Sequence, residues 1–243
     1  ADLYYKVGAT KDGRITAAEI TAYGDTGAYA LSGEAVLFRM MAFACGPYEV
    51  PHVEVNTYAV HTNNTPCGAF RGYGSPQVTF AAENHFEHMI QELGLDPIDT
   101  RLKNALDIGK ATITGDVLTK EVGAGMVECL TAVKTELART EMPEVAANEK
   151  LGVGIACAYK NVGLGSNIPD QAGAVVALEK NGKFLVRHGA ADMGQGSNQV
   201  MAVLTSKVLG VPVADISVHT GDTRLDPHGG MTTASRATFI SGN

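Results

Sequence analysis

The sequence is short of several things, and each shortage removes a class of function. No stretch of ~18 apolar residues occurs, so no segment is expected to cross a membrane as a helix. Basic residues are outnumbered: 19 lysines and arginines face 26 aspartates and glutamates, a formal net charge of -7. That balance argues against a nucleic-acid groove and against contact with an anionic membrane surface. The four cysteines (Cys45, Cys67, Cys129 and Cys157) are scattered and form no CxxC pair. A zinc or iron–sulfur site therefore has no ligand framework here, and the thiols are expected to be reduced, as in the cytoplasm. The first residues show no basic stretch followed by an apolar core, so no signal peptide is expected. There is no low-complexity tract and no sequence repeat. Residue 1 opens in strand-like sequence and residue 243 follows a helical start. The chain therefore reads as a fragment or one piece of a split subunit.

What is present is ordinary globular composition: 243 residues, 45% hydrophobic and 19% charged, enough for one large or two smaller domains. Residues 3–7 and 15–23 alternate in polarity around Thr10-Lys11-Asp12-Gly13, a hairpin signal. Residues 53–60 alternate again. Ser75 as N-cap with Pro76 behind it opens a helix through Val78, Ala82, Phe86, Ile90 and Leu93, closed by Gly94. Asp96-Pro97 starts a second helix, and Met126, Leu130, Val133 and Leu137 space a third. Residues 140–150 are polar and read as a linker. Strands are expected at 152–158, 174–178, 184–188 and 215–219, with a turn at Asn181-Gly182 and a helix over 197–209. Elements come in mixed order without regular βαβ alternation, so the fold class is α+β. Two mixed subdomains are expected, 1–145 and 146–243, the second truncated.

Three glycine-rich segments could carry chemistry. Residues 67–74 hold Arg71 among glycines just before a helix, a place suited to an oxyanion or a metal-oxo group; a plain turn with a surface arginine fits the spacing equally. Asp192-Met193-Gly194-Gln195-Gly196-Ser197 precedes another helix, where backbone amides can hold an anion. It is neither GxGxxG nor a P-loop. Residues 229–235 place small and hydroxyl side chains before a possible helix. His85 and His88 lie three apart on a helix with no evident third ligand, so packing or solvation is preferred over metal. Glu83 and Asp192 read as capping or surface groups.

Together these segments resemble the molybdenum hydroxylases of the xanthine dehydrogenase/aldehyde oxidase type. Gly68-Ala69-Phe70-Arg71-Gly72-Tyr73-Gly74-Ser75-Pro76-Gln77 resembles that family's arginine loop. Met193-Gly194-Gln195-Gly196 resembles its second cofactor loop, and Thr232-Thr233-Ala234-Ser235 its third. Order and distances also fit, over essentially the whole chain.

The resemblance implies a molybdopterin cofactor, in mono- or dinucleotide form, with molybdenum held through the pterin and no direct protein ligand. Ala69, Phe70 and Arg71 would face the molybdenum ligands. Met193, Gly194, Gln195 and Gly196 would hold the pterin and its phosphate, and Thr233, Ala234 and Ser235 would close over it. Arg39 falls where purine-oxidising members keep an arginine that orients substrate. Arg39 and Arg71 are thus the catalytic candidates. Tyr73 corresponds to an aromatic flanking the substrate ring. Leu164 falls near a second such aromatic, and its being aliphatic speaks against xanthine. No cysteine lies between Arg71 and Gly74, which speaks against the carbon monoxide dehydrogenase branch.

The implied reaction is hydroxylation of an N-heteroaromatic or aldehyde with water-derived oxygen. The family's glutamate base lies beyond residue 243, so the chain alone is expected to be inactive. A [2Fe–2S] module, a flavin (FAD) module and the remaining molybdopterin-binding segments are expected on other domains or subunits. The alternatives are an aromatic acyl-CoA reductase subunit of the same family and a non-catalytic structural subunit.

Overall fold

Asp12-Gly13 turns the chain where expected, with Gly13 at φ 82°, and joins β1 (Asp2–Ala9) to β2 (Ile15–Gly27) as an antiparallel hairpin. In this computed structural model, which describes residues 1–165 and 168–243, the chain divides into two compact units, Ala1–Lys160 and Asn161–Asn243. In the first, β2 leads through α1 (Gly33–Phe43) to β3 (His52–His61), which pairs with β2 in parallel, giving the sheet order β1-β2-β3. Parallel neighbours need such a crossover, and a helix supplies it. Alternate residues of β2 point inward. Ala22 meets Leu37, Met40 and Phe43 of α1 and Val78 of α2 (Ser75–Leu93) in one core cluster. Ile15 meets Tyr48, Phe86 and Ile90 in another. Burying each such aliphatic or aromatic side chain contributes about 1.5–3 kcal/mol.

Helix boundaries follow backbone chemistry. Gly74, at φ 93°, occupies the N-cap of α2, and Gly94, at φ 65°, closes it. Ser75 is thus the first helical residue rather than the cap, and its buried Oγ has no hydrogen-bond partner among the described residues. A left-handed glycine makes the turn that a capping serine would otherwise stabilise. In α3 (Pro97–Asn104) the expectation holds: the Asp96 carboxylate accepts from the Ile98 and Asp99 amides at 2.9 and 2.8 Å. The third helix is α4 (Met126–Leu137).

Glu83 is not a surface group. It is buried with Arg101, whose Nε and terminal nitrogen donate to Glu83 Oε2 at 3.2 and 3.0 Å. Tyr48 donates its hydroxyl to Glu83 Oε1 at 2.5 Å, and Arg101 also donates to Glu87 at 3.0 Å. A buried carboxylate persists only when paired this way.

Residues 152–158 form no strand. Their alternation is real, because Ile155, Cys157 and Tyr159 turn inward while their neighbours are exposed. The contacts are made by side chains instead of a backbone ladder. Cys157 joins the Tyr48–Phe86 cluster, and the Tyr159 ring stands edge-on to Phe43 at 4.9 Å. That packing is why the compact division falls after Lys160, whereas the polar linker placed it after residue 145.

The second unit repeats the element order of the first. β4 (Ala174–Leu178) and β5 (Phe184–His188) form a hairpin over Gly182, at φ 80°. Next, α5 (Ser197–Leu209) leads to β6 (Ile216–His219), parallel to β5. A five-residue π-helical turn, Ala237–Ser241, follows the last glycine-rich segment. No helix among the described residues is long and apolar enough to cross a membrane.

Candidate functional site

In the first unit the arginine loop leaves the C-terminal end of β3 and is braced by α1. Gly74 approaches α1 so closely that an added Cβ would stand 2.5 Å from the Val36 carbonyl oxygen. Gly72, at φ 90°, leaves no room either, since its Cβ would meet Pro76 at 2.4 Å. Between them Tyr73 takes φ 53°, a left-handed conformation that costs a residue with a Cβ roughly 1–2 kcal/mol. Such strain concentrates where a surrounding structure holds a residue for function. The Tyr73 amide donates to the Phe70 carbonyl at 2.8 Å, and the Ala69 amide to Ser32 Oγ, at the start of α1, also at 2.8 Å. Ala69, Phe70 and Arg71 are exposed, Phe70 at 87%. Arg39 lies half-buried on α1. The first unit therefore holds Arg39's helix directly against the loop that carries Arg71 and Tyr73.

In the second unit the other two loops leave the C-terminal ends of β5 and β6 and are tied together. The Ala191 amide donates to Thr232 Oγ1 at 2.8 Å. Gly189 and Gly229 cross so tightly that a Cβ on Gly189 would lie 2.2 Å from the Pro227 carbonyl oxygen. Ala234 and Ser235 both have positive φ, 48° and 54°, and the Ala234 carbonyl accepts from the Gly163 amide at 2.9 Å. Leu164 sits half-buried in the adjoining bend. The next two residues, 166 and 167, lie outside the described residues.

Four of the amides of 193–198, read from sequence as able to hold an external anion, are engaged: those of Met193, Gly194, Gly196 and Asn198. The Asp192 carboxylate accepts from Gly194 at 2.9 Å, Gly196 at 3.2 Å and Asn198 at 3.1 Å. Those bonds hold its pKa below the usual carboxylate value. Gln195 Oε1 accepts from the Met193 amide at 2.6 Å, and Nε2 donates to the Ala191 carbonyl at 2.8 Å. The nest binds a carboxylate, as expected of a helix start, but the carboxylate belongs to the same loop. Asp192 is thus the capping group the sequence indicated.

Sequence reasoning missed Arg236, which is 1% exposed. Its guanidinium donates to the carbonyls of Gly229, Met231 and Gln171 at 2.5, 2.8 and 2.9 Å, and pairs with Asp170. It holds the 229–235 loop from beneath. No periodic or motif signal marks it, because an arginine after Ala234-Ser235 reads as solvent-facing.

His188, fully buried at the end of β5, was also missed. Burial pushes its pKa down from 6.5, against the opposing pull of the Asn198 side chain and of the Asp226 and Asp192 carboxylates. The folded chain therefore keeps this imidazole neutral where the unfolded chain protonates it. Its contribution to stability is full above pH ~6.5 and is lost as the pH falls towards the lowered folded value. The melting temperature should drop between pH 7.5 and 5. Part of that drop should vanish in His188→Gln, and identical pH profiles for the two proteins would exclude the effect.

The chain's resemblances extend over both units. Residues 1–105 and residues 128–243 each match the family described as "Molybdopterin cofactor-binding domain". The chain is 34% identical over 236 residues to a probable xanthine dehydrogenase subunit of Bacillus subtilis, covering 97% of this chain and 31% of that protein. It is 44% identical over 148 residues to the nicotinate dehydrogenase large molybdopterin subunit of Eubacterium barkeri, covering 61% and 33% of the two. The solved aldehyde oxidoreductase of Desulfovibrio gigas superposes with a TM-score of 0.85 at 28% identity, covering 99% of this chain and 27% of that one. The chain thus spans about a third or less of the relatives it matches.

Proposed function

Because this chain belongs to the molybdenum hydroxylases and carries their molybdopterin cofactor-binding domains, we propose that it builds part of the site where an N-heteroaromatic or aldehyde substrate is hydroxylated. The observation that carries this reading is positional. All three glycine-rich loops leave the C-terminal ends of parallel strands, β3, β5 and β6, where α/β sheets bind ligands.

The residues suit a phosphate-bearing pterin. The Gly194, Gly196 and Asn198 amides are held by Asp192, so the approach this loop leaves to a ligand is over its glycine backbone. An added Cβ at Gly194 or Gly196 would meet nothing within 4 Å, so a ligand can lie directly on that backbone. Arg71 offers an exposed guanidinium. The bound cofactor would supply the redox centre that accepts the electrons of the oxidation. In this reading Met193, Gly194, Gln195 and Gly196 hold the pterin, with Thr233, Ala234 and Ser235 on the neighbouring loop. Ala69, Phe70 and Arg71 face the metal's oxygens. Arg39 orients substrate and offsets developing negative charge, Tyr73 packs on the substrate ring, and Leu164 contributes an aliphatic contact. The first unit serves as one cofactor-binding subdomain and the second as another.

Electrons leaving this site require an acceptor, so iron–sulfur and flavin modules are proposed as partners. Four free cysteines fit a reducing, cytoplasmic setting. The nicotinate and xanthine dehydrogenase relatives speak for hydroxylation over reduction of an acyl thioester.

The test is metal analysis of the purified native complex together with Arg71→Met. Molybdenum should be present and retained in the variant, while kcat falls roughly a hundred- to a thousandfold, the usual cost of removing one preorganised donor. A native complex free of molybdenum would end the proposal.

A further inference from the structure

The serine at the start of α1 does not do what its place calls for. Ser32 is the N-cap residue, and a serine there ordinarily accepts from the second or third amide of its own helix. Its carbonyl does open α1, accepting from the Val36 amide at 3.1 Å, but its hydroxyl makes no capping bond. Ser32 Oγ instead accepts from the Ala69 amide at 2.8 Å, 37 residues along the chain. The helix forgoes its cap and the arginine loop gains a support.

That support is fixed on both sides. Before it, Ala30 and Leu31 take φ of 55° and 34°, left-handed backbone that residues with a Cβ rarely adopt. The Leu31 amide donates to the Tyr29 carbonyl at 2.6 Å and the Gly33 amide to the Ala30 carbonyl at 2.7 Å, so the chain folds tightly around Ser32. After it, Gly33 is pressed against the end of β2, where an added Cβ would stand 2.2 Å from Thr26 Cγ2. The Thr26 carbonyl accepts from the Cys67 amide at 3.1 Å, where the arginine loop begins. Gly68 closes in as well, since its Cβ would stand 3.1 Å from Ser32 Oγ. Backbone strain of this kind persists only where the surroundings over-determine it, and it gathers at functional sites.

We propose that Ser32 is a positioning residue for the hydroxylation: its hydroxyl fixes the Ala69 peptide and, through it, the direction in which Arg71 is presented. Ser32 acts through Ala69 and touches neither substrate nor cofactor in this role. Its loss should cost catalysis and not stability, because the hydroxyl caps nothing in α1. This rests on the hydroxylase reading.

The test uses the assembled enzyme containing this chain, with nicotinate and benzaldehyde as substrate probes. Ser32→Ala should speed hydrogen exchange at the Ala69 amide roughly tenfold and shift the paramagnetic resonance signal of the partly reduced molybdenum. It should lower kcat roughly tenfold, ~1.4 kcal/mol in the barrier and the upper range for one neutral hydrogen bond. KM, melting temperature and molybdenum content should stay as in the wild type. Ser32→Thr keeps the hydroxyl and should restore exchange, signal and kcat. Ser206→Ala removes a comparable hydroxyl-to-carbonyl bond of 2.6 Å in the last turn of α5 and should change none of the three. The inference is overturned if Ser32→Ala leaves exchange, signal and kcat unchanged, if Ser206→Ala lowers kcat equally, or if threonine restores nothing. A fall in melting temperature that matches the fall in kcat also overturns it, because the role would then be structural. If the wild type turns over neither probe, exchange and signal decide. Molybdenum absent from the wild type ends the hydroxylase reading and this role with it, while exchange at Ala69 still reports the bond.

Discussion

Arg236→Met is expected to destabilise the second unit by about 3–5 kcal/mol, the usual cost of breaking a buried, hydrogen-bonded ion pair from one side. The guanidinium satisfies three backbone carbonyls and the Asp170 carboxylate at once. Removing it strands those acceptors, and Asp170 Oδ2 is already buried without a partner among the described residues. Methionine keeps much of the volume, so the loss measures the polar contacts rather than a cavity. Denaturant unfolding of the native complex is the measurement. Cofactor retention should fall with stability, since the strained Ala234-Ser235 turn rests on this arginine. Asp170→Asn in the same background should recover part of the loss by removing the stranded charge. A loss below about 1 kcal/mol would mean the loop is held by other contacts.

The second large effect is expected in the first unit, at Arg101. Arg101→Met should also cost about 3–5 kcal/mol, because it leaves Glu83 charged and buried. Among the described residues, Glu83 then keeps the Tyr48 hydroxyl. Burial, followed by the Glu83 charge, holds the Tyr48 pKa far above its ordinary value, so this phenol stays protonated and remains a donor to the carboxylate. Replacing Arg101 and Glu83 together by methionine and leucine should be much milder than the single change, since no charge is then left unpaired. A double variant as unstable as the single one would show that packing against Phe86, 5.5 Å from the guanidinium carbon, carries the effect.

Short-range signals were the legible part of this fold. Asp12-Gly13 and Asn181-Gly182 mark their hairpins because each turn is a three-residue one that ends in a glycine of positive φ, Gly13 at 82° and Gly182 at 80°. Asp96 marks α3 because its carboxylate reaches two adjacent amides. The glycine-rich loops were visible by resemblance. What the sequence concealed were pairings between distant segments. Nothing in residues 53–60 says that they lie parallel to β2, and nothing in 152–158 says that its alternation ends in side-chain packing without a ladder. Glu83 looked like a surface acid because helix periodicity gives its face but not its partner, eighteen residues away in Arg101. Tyr73, Ala234 and Ser235 hide their left-handed backbone because their side chains disfavour it, so only tertiary constraint places them there.

The repeated hairpin–helix–strand order has a practical consequence. In both units the hairpin turns, at 10–13 and 181–182, lie at the N-terminal ends of β2 and β5, while every proposed ligand loop departs from the C-terminal ends. Each sheet therefore has a working rim and an idle rim. Fluorophores, affinity tags or surface tethers attached at the idle rim leave the ligand loops untouched. In the proposed reading, redesign of substrate choice begins at the other rim, where loop sequences can change without re-registering a strand.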